Sequence, residues 1–551
     1  MNIAHRISEV AKKFPHKKSV VFSKLDQGSY SYPFYTFSEF EERSNQMASF
    51  FKDKGIGPGM RTLLFVKPCL DFSVITFALF KVGAIPVLID PGMGIKNLLS
   101  SIKQVRPEAM ISIGKVHWIR RILRSAFRSI KVKISLTPVG GSTHHLYENL
   151  SLMSKSFDIC EVNPSDTSAI LFTSGGTGIP KGVIYTHGIM NAQTDALKEM
   201  FSLDERHIDL PAFPLFALFT LAMGMTSVIP DMDPTRPAMV DPKKLVRNIL
   251  EQGATFVAGS PAIWERVGRY CLRHNIQLGS VKYVVMFGAP VRSEIHEMYR
   301  KILPFGDTYT PYGATECLPV SLISGREILK GKAEESKKGL GTCVGRAVPG
   351  VEIRIIKTSD IPKDDLSELP TGSVGEIVVS GSQVTPAYFE MEEETKKAKI
   401  NADGKLWHRM GDIGWLDQDN NLWFLGRKAH RVEIDSETVF YPLQIEAIFN
   451  QHPMVKRSAL VHLKSKNEVT PGLVIERHDG QTRFDPDFLR ELSALSEETE
   501  ASQKITRFFL HRSFPVDVRH NIKIDRIKLS HWAQENGGDL CQKNQNTTPS
   551  K

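Results

Sequence analysis

Ten consecutive residues, Thr173-Ser174-Gly175-Gly176-Thr177-Gly178-Ile179-Pro180-Lys181-Gly182, hold three hydroxyl side chains, four glycines and one lysine between two apolar runs. Glycines let successive backbone N–H groups turn toward an anion, and the hydroxyls add donors. Lys181 adds a point charge suited to a polyphosphate. The segment differs from a Walker loop, in which Gly-Lys-Ser/Thr opens a helix. Here Pro180 precedes the lysine and a strand-like run, Val183-Ile184-Tyr185, follows it.

Three more segments carry chemistry in the same order along the chain: Phe287-Gly288-Ala289-Pro290, Tyr312-Gly313-Ala314-Thr315-Glu316, and Trp407-His408-Arg409-Met410-Gly411-Asp412 followed by Gly426-Arg427. With the glycine-rich loop they resemble the adenylate-forming superfamily, which includes acyl-CoA synthetases, adenylation domains and luciferases. That resemblance implies ATP and Mg²⁺ as cofactors. It implies that Thr173, Ser174, Gly175, Gly176, Thr177, Gly178 and Lys181 hold phosphates, and that Gly288, Ala289 and Pro290 lie against adenine. Tyr312 would stack on the base, Thr315 would touch the α-phosphate, Glu316 would hold the metal, and Asp412 with Arg427 would hold the ribose hydroxyls. The chemistry is coherent: a carboxylate attacks the α-phosphorus of ATP, and fixed donors with a hard cation neutralise the charge that develops. Gly176 stands where the family usually has threonine.

The second half-reaction is less conventional. In Phe213-Pro214-Leu215-Phe216-Ala217 the histidine common in thioester-forming relatives is missing, and the hinge position is Ala429. Glu433 and Ser436 replace the lysine and glycine that open a thiol path. Gly426–Glu433, Phe514–Ile524 and the run Phe213–Pro237 are instead similar to the β-lactone synthetases of bacterial olefin biosynthesis. This implies a fatty-acid-type substrate, a 2-alkyl-3-hydroxy acid whose own hydroxyl displaces AMP. By the same resemblance Lys523 takes the place of the C-terminal catalytic lysine, although its spacing from Pro515 is two residues longer than usual. His430 and His520 are the two candidate bases for the β-hydroxyl, because imidazole titrates near neutrality. A fatty acyl-CoA ligase and an inactive ATP-binding scaffold remain as alternatives.

The elements that must position these residues follow from apolar patterning. Strands are expected at Thr62–Val66, Ile85–Ile89, Thr255–Ala258 and Tyr283–Phe287, with helices at Phe72–Val82 and Pro261–Cys271: an α/β organisation with largely parallel sheets. Beyond Gly350, short strands at Val351–Ile356, Gly375–Val379 and Leu422–Phe424 predict a β-rich region. A smaller α+β unit follows, with a helix at Leu443–Asn450 and a strand at Arg457–His462. The expected division is a large N-terminal domain of stacked α/β sheets at 1–425, a small mobile C-terminal domain at 426–536 and a disordered tail at 537–551.

At 551 residues more than one core is needed. The six cysteines form no paired motif, and the N-terminus has no apolar signal core, so a cytoplasmic enzyme is expected. Pro211–Pro230 is uncharged over 20 residues, but its prolines and Gly224 would break a spanning helix. It reads as buried wall, either for alkyl tails or for plain core. The net charge of +9 is concentrated between Lys115 and Lys133. There Trp118, Ile119, Ile122, Leu123, Ala126, Phe127 and Ile130 recur at helical spacing among arginines. Either a surface helix packs by that apolar side, or the segment contacts an anionic membrane surface or a pathway enzyme. Nucleic acid is excluded as a partner by the lack of any recognised motif.

Overall fold

The strongly apolar runs become buried strands and helices that stack in layers. The computed structural model describes residues 1–26, 29–173, 180–359, 366–435, 438–465, 468–516, 524–537 and 539–540. Among them, nine strands form one sheet in the order Arg346–Ala347, Cys317–Ser324, Asp307–Ala314, Tyr283–Met286, Phe256–Gly259, Ile208–Pro211, Thr226–Ile229, Lys18–Phe22, Phe34–Thr36. From Asp307–Ala314 to Lys18–Phe22 the pairing is parallel. A second, seven-stranded sheet runs Lys181–Thr186, Thr167–Thr173, Ile85–Ile89, Arg61–Phe65, Ala109–Ser112, Val132–Ser135, His144–His145. It is parallel apart from the pair Thr167–Thr173 with Lys181–Thr186. Parallel strands need both faces covered. The helix Leu70–Lys81 does this with nearly its whole surface buried, which explains why its sequence is apolar all round.

A third, six-stranded antiparallel sheet, built from Thr342–Cys343, Leu422–Arg427, Lys405–Leu416, Gly375–Gly381, Val351–Ile356 and Lys399–Ala402, forms the β-rich region. Beyond it, Val455–Ser465, Glu468–Arg477, Arg507–Leu510 and Asp539–Leu540 pair in a separate sheet. Two apolar clusters pack there, drawn from residues 432 to 533 alone. The expected elements lie within a few residues of the observed ones. The sequence 211–230 is a strand end, a short helix Ala217–Ala222 and the strand Thr226–Ile229. Among the described residues no helix is long and apolar enough to cross a membrane.

One expectation is corrected. The basic segment is not a single helix packed by its apolar side: the helix covers only Gly114–Ile122, and turns follow. Ala126, Phe127 and Ile130 are buried, but Trp118, Ile119 and Ile122 face solvent. Arg120 and Arg124 would be like-charged neighbours four apart with no acidic partner nearby, which disfavours further helical turns.

Glu446, on the helix Pro442–Phe449, anchors the C-terminal part. It accepts the Leu460 N–H at 2.9 Å, and Arg526 Nη2 donates to its Oε1 at 2.8 Å and its Oε2 at 2.7 Å; burial raises its pKa above the usual glutamate value. Truncating one member of such a buried pair leaves the other charge without compensation. We expect Glu446→Ala to destabilise the fold by about 3 kcal/mol, read as a lowered midpoint of chemical denaturation. Glu446→Leu combined with Arg526→Met should recover part of the loss.

Candidate active site

The carboxyl ends of the parallel strands in the first two sheets open into one cavity of about 2500 Å³. Ligands bind at such ends in open α/β sheets. The third sheet, the helix Pro442–Phe449 and residues 456–458 and 524–528 also line it.

Strand register brings Thr173 opposite Lys181 on antiparallel neighbours. Ser174, Gly175, Gly176, Thr177 and Gly178 themselves lie outside the described residues. Lys181 Nζ donates to Glu394 Oε2 at 2.7 Å and stands 4.8 Å from the centre of the Tyr388 ring. Gly288, Ala289 and Pro290 follow the strand Tyr283–Met286 and line the cavity, and Gly288 takes φ +89°, where a side chain would be strained.

Thr315 and Glu316 occupy the turn between Asp307–Ala314 and Cys317–Ser324. The turn is pinned from outside. Tyr185 Oη donates to the Thr315 carbonyl at 2.7 Å, and the Thr385 N–H donates to the Glu316 carbonyl at 2.9 Å. Tyr388 Oη donates to Glu316 Oε1 at 2.7 Å. Gly313 is required by space, because a Cβ there would lie 2.6 Å from the Cys317 carbonyl. Buried behind the turn, Lys399 has its pKa lowered to about 8 by desolvation, against the opposing pull of Glu316.

Asp412 and Arg427 are register partners on adjacent strands of the third sheet. Asp412 is buried, and desolvation raises its pKa against the opposing effects of Arg427 and Tyr312. Its Oδ2 accepts from Tyr312 Oη at 2.6 Å, and its Oδ1 lies 3.2 Å from Arg427 Nε without a well-aligned hydrogen bond. That buried oxygen is an acceptor still open to a donor. Arg427 Nη1 also donates to the Met410 carbonyl at 3.2 Å. Immediately after Arg427, Lys428 Nζ reaches both oxygens of buried Glu376, at 3.1 and 3.2 Å, beside the Arg409–Glu376 pair at 2.8 Å. His430 lines the cavity, and burial, with Arg526 and Arg427 nearby, lowers its pKa to about 4. It is neutral at pH 7 and a weak base. His520 and Lys523 lie outside the described residues.

The sequence motifs therefore converge on one cavity. The family profile of the AMP-binding enzymes spans residues 7–389. The chain belongs to the AMP-binding enzyme family. It is an ATP-dependent, adenylate-forming ligase. An olefin beta-lactone synthetase of Stenotrophomonas maltophilia (strain K279a) is 39% identical over 97% of this chain and 98% of its own. Another from Xanthomonas campestris pv. campestris is 39% identical over 91% of each. In fold, the ATP-bound MatB of Rhodopseudomonas palustris matches 97% of this chain and all of its own at TM-score 0.77 and 19% identity. Within this family of AMP-binding enzymes, Tyr388, Glu394 and Lys399 here sit outside every motif read from the sequence, and only the fold brings them to Lys181 and Glu316. No spacing signal announces them.

The acyl side of the cavity is apolar. Phe213, Phe216 and Phe287 form a cluster with ring centres 4.8 to 6.5 Å apart beside Gly288. In the same wall lies Asp209, two residues before the uncharged run Pro211–Pro230. It is 1% exposed, its Oδ2 accepts from Thr220 Oγ1 at 2.7 Å, and its Oδ1 has no partner among the described residues. Burial raises its pKa to about 7. Between the ordinary carboxylate pKa and about 7 the folded chain therefore holds a proton that the unfolded chain has released, and stability falls as pH rises through that window. We expect Asp209→Asn to flatten the stability profile between about pH 4 and 7, measured by denaturation at a series of pH values. An unchanged slope would relocate the titration.

Proposed function

We propose that this AMP-binding enzyme activates a long-chain 2-alkyl-3-hydroxy fatty acid as its adenylate and closes it to a β-lactone. A carboxylate oxygen of the substrate attacks the α-phosphorus of ATP, the bond to the β-phosphate breaks, and pyrophosphate leaves. The 3-hydroxyl oxygen then attacks the acyl carbon, gives up its proton, and the acyl–phosphate C–O bond breaks to release AMP. Holding hydroxyl and carbonyl on one molecule replaces a bimolecular step. The observation that carries the reading is the 39% identity to olefin beta-lactone synthetases across nearly the entire chain. The aromatic cluster Phe213, Phe216 and Phe287, together with buried Ala217 in place of a histidine, fits a site that excludes water and needs no thiol.

In this reading Lys181 and Thr173 contact the triphosphate, with Lys181 exchanging Glu394 for a phosphate oxygen. Ser174, Gly175, Gly176, Thr177 and Gly178 supply the remaining donors. Gly288, Ala289 and Pro290 flank the adenine, and Tyr312 stacks on it. Asp412 offers its open Oδ1 to a ribose hydroxyl, which Arg427 helps to fix. Thr315 contacts the α-phosphate.

Glu316 has one oxygen committed to Tyr388, and the second is suited to Mg²⁺, which takes few protein carboxylates and keeps phosphate and water ligands. When bound there, the cation supplies charge neutralisation for the phosphates. The unit 426–536 turns about Gly426–His430 to deliver Lys523 to the phosphorus, in the manner of gated enzymes. His430, neutral at pH 7, accepts a hydrogen bond from the 3-hydroxyl, with His520 as the other candidate base.

The test is a substrate panel with pyrophosphate release and product mass as readouts. A 2-alkyl-3-hydroxy acid should release pyrophosphate without coenzyme A and yield a product lighter than the acid by one water. A product formed only with coenzyme A would make the chain an acyl-CoA ligase. Release of neither would leave the scaffold reading. We expect Glu316→Gln to lower the single-turnover rate of adenylation by at least about 100-fold, with the fold intact by circular dichroism.

A further inference from the structure

The short helix Gly114–Ile122 presents three large apolar side chains to solvent: Trp118 is 60% exposed, Ile119 46% and Ile122 80%. They are not core residues left at the surface by chance of packing. The same segment buries Ala126, Phe127 and Ile130 into the cluster beneath the seven-stranded sheet, so its inward face is already filled. Around the exposed trio the charge has one sign. From Glu108 to Glu148 the chain holds Lys115, Arg120, Arg121, Arg124, Arg128, Lys131 and Lys133 and no acidic residue between. Arg121, Arg124 and Lys133 direct donors to the Gly140 carbonyl, the Arg121 carbonyl and the Ser142 hydroxyl rather than to carboxylates. Apolar side chains among unneutralised cations match an anionic interface with an apolar interior.

A second observation joins this surface to the reaction site. Ile113 and Val116, at the start of the same helix, line the cavity together with Pro91 and Met93, and Ile95, 57% exposed, follows directly after. One nine-residue helix thus carries both the exposed trio and a side chain, Val116, that lines the cavity also holding Phe213 and Phe287. A long-chain acid with two alkyl tails partitions into lipid rather than water.

We propose that Gly114–Ile122 and the turn after it dock the enzyme on an anionic phospholipid bilayer, so that a lipid-dissolved acid enters the cavity past Val116. The purpose of the docking rests on the lactone-synthetase reading, but the docking itself does not require it. Trp118, Ile119 and Ile122 sit among the acyl chains at the headgroup boundary, while Arg124, Arg128 and Lys131 meet lipid phosphates. Attraction between exposed charges is screened within about 10 Å at 0.1 M salt, so binding weakens as salt rises.

Co-sedimentation of the full chain with vesicles tests this without any turnover. At low salt the chain should pellet with phosphatidylglycerol-rich vesicles, and with pure phosphatidylcholine at least tenfold less. Trp118→Ala with Ile122→Ala, and separately Arg124→Glu with Arg128→Glu, should each lower partitioning at least tenfold. Adenylation of a short-chain, water-soluble hydroxy acid should stay unchanged, and turnover of a long-chain acid presented in vesicles should fall. If the wild-type chain stays in the supernatant with both vesicles, or both variants pellet as it does, the proposal is overturned and the face belongs to a protein partner. Vesicle binding without lactone formation would overturn the proposed reaction and leave the docking surface standing.

Discussion

The site is organised around one buried carboxylate. Asp412 lies in the third sheet, yet one of its oxygens is held by Tyr312 from the first sheet and the other faces Arg427, the last residue of its neighbouring strand. A carboxylate removed from water costs several kcal/mol unless paired and hydrogen-bonded. The two sheets therefore cannot slide relative to each other without exposing that cost, and the cleft between them keeps its width. Because Arg427 immediately precedes Lys428, which grips buried Glu376, the chain leaves the large α/β part from a fixed point.

A second network has the opposite character. Lys181 is held by Glu394, a partly exposed residue on the short helix Glu392–Ala398, and Glu316 is oriented by Tyr388, which also lies under Lys181. Lys181 is thus neutralised by Glu394 while Glu316 takes a hydrogen bond from the neutral Tyr388 phenol. A partly exposed ion pair contributes about 1 kcal/mol or less, so in the proposed reading little opposes the exchange of Glu394 for a phosphate oxygen at Lys181. Lys399 behind the turn opposes the negative charge of Glu316 from the protein side, and desolvation already weakens its hold on its proton. Donors fixed in advance at a charged centre are where enzymes obtain most of their rate.

The alternation of strands and helices, the position of the β-rich region and the four motifs were all legible in the sequence, because apolar periodicity and glycine placement are local signals. What escaped is non-local. Tyr388 reaches Glu316 across 72 residues of chain and Lys399 from still farther along it, and no pattern within a window marks them. Asp209 carries no motif in the sequence, and only its register beside Ser227 and Phe256 puts it inside the wall. The helix Gly114–Ile122 was misjudged because helical spacing reports only which residues share a face, not whether that face finds a partner. The local sequence carries seven cations and no acid to stabilise further turns, and that pattern does show where the helix stops.

The character of the cavity constrains the chemistry it can support. An adenylate is hydrolysed by any water that reaches its acyl carbon, so a slow intramolecular closure succeeds only where water is scarce. Phe213, Phe216 and Phe287 make the wall beside Gly288 aromatic, and Ala217 leaves no imidazole there to activate a water or a thiol. His430, with its pKa lowered to about 4 by burial and two arginines, is too weak a base to deprotonate water to a useful extent. A hydroxyl already held against the acyl carbon asks less of that base, because its proton leaves as the C–O bond forms and its approach costs no further translational entropy. The same weak base and dry wall that would make a poor thioesterase or thioligase are therefore compatible with ring closure from within the substrate.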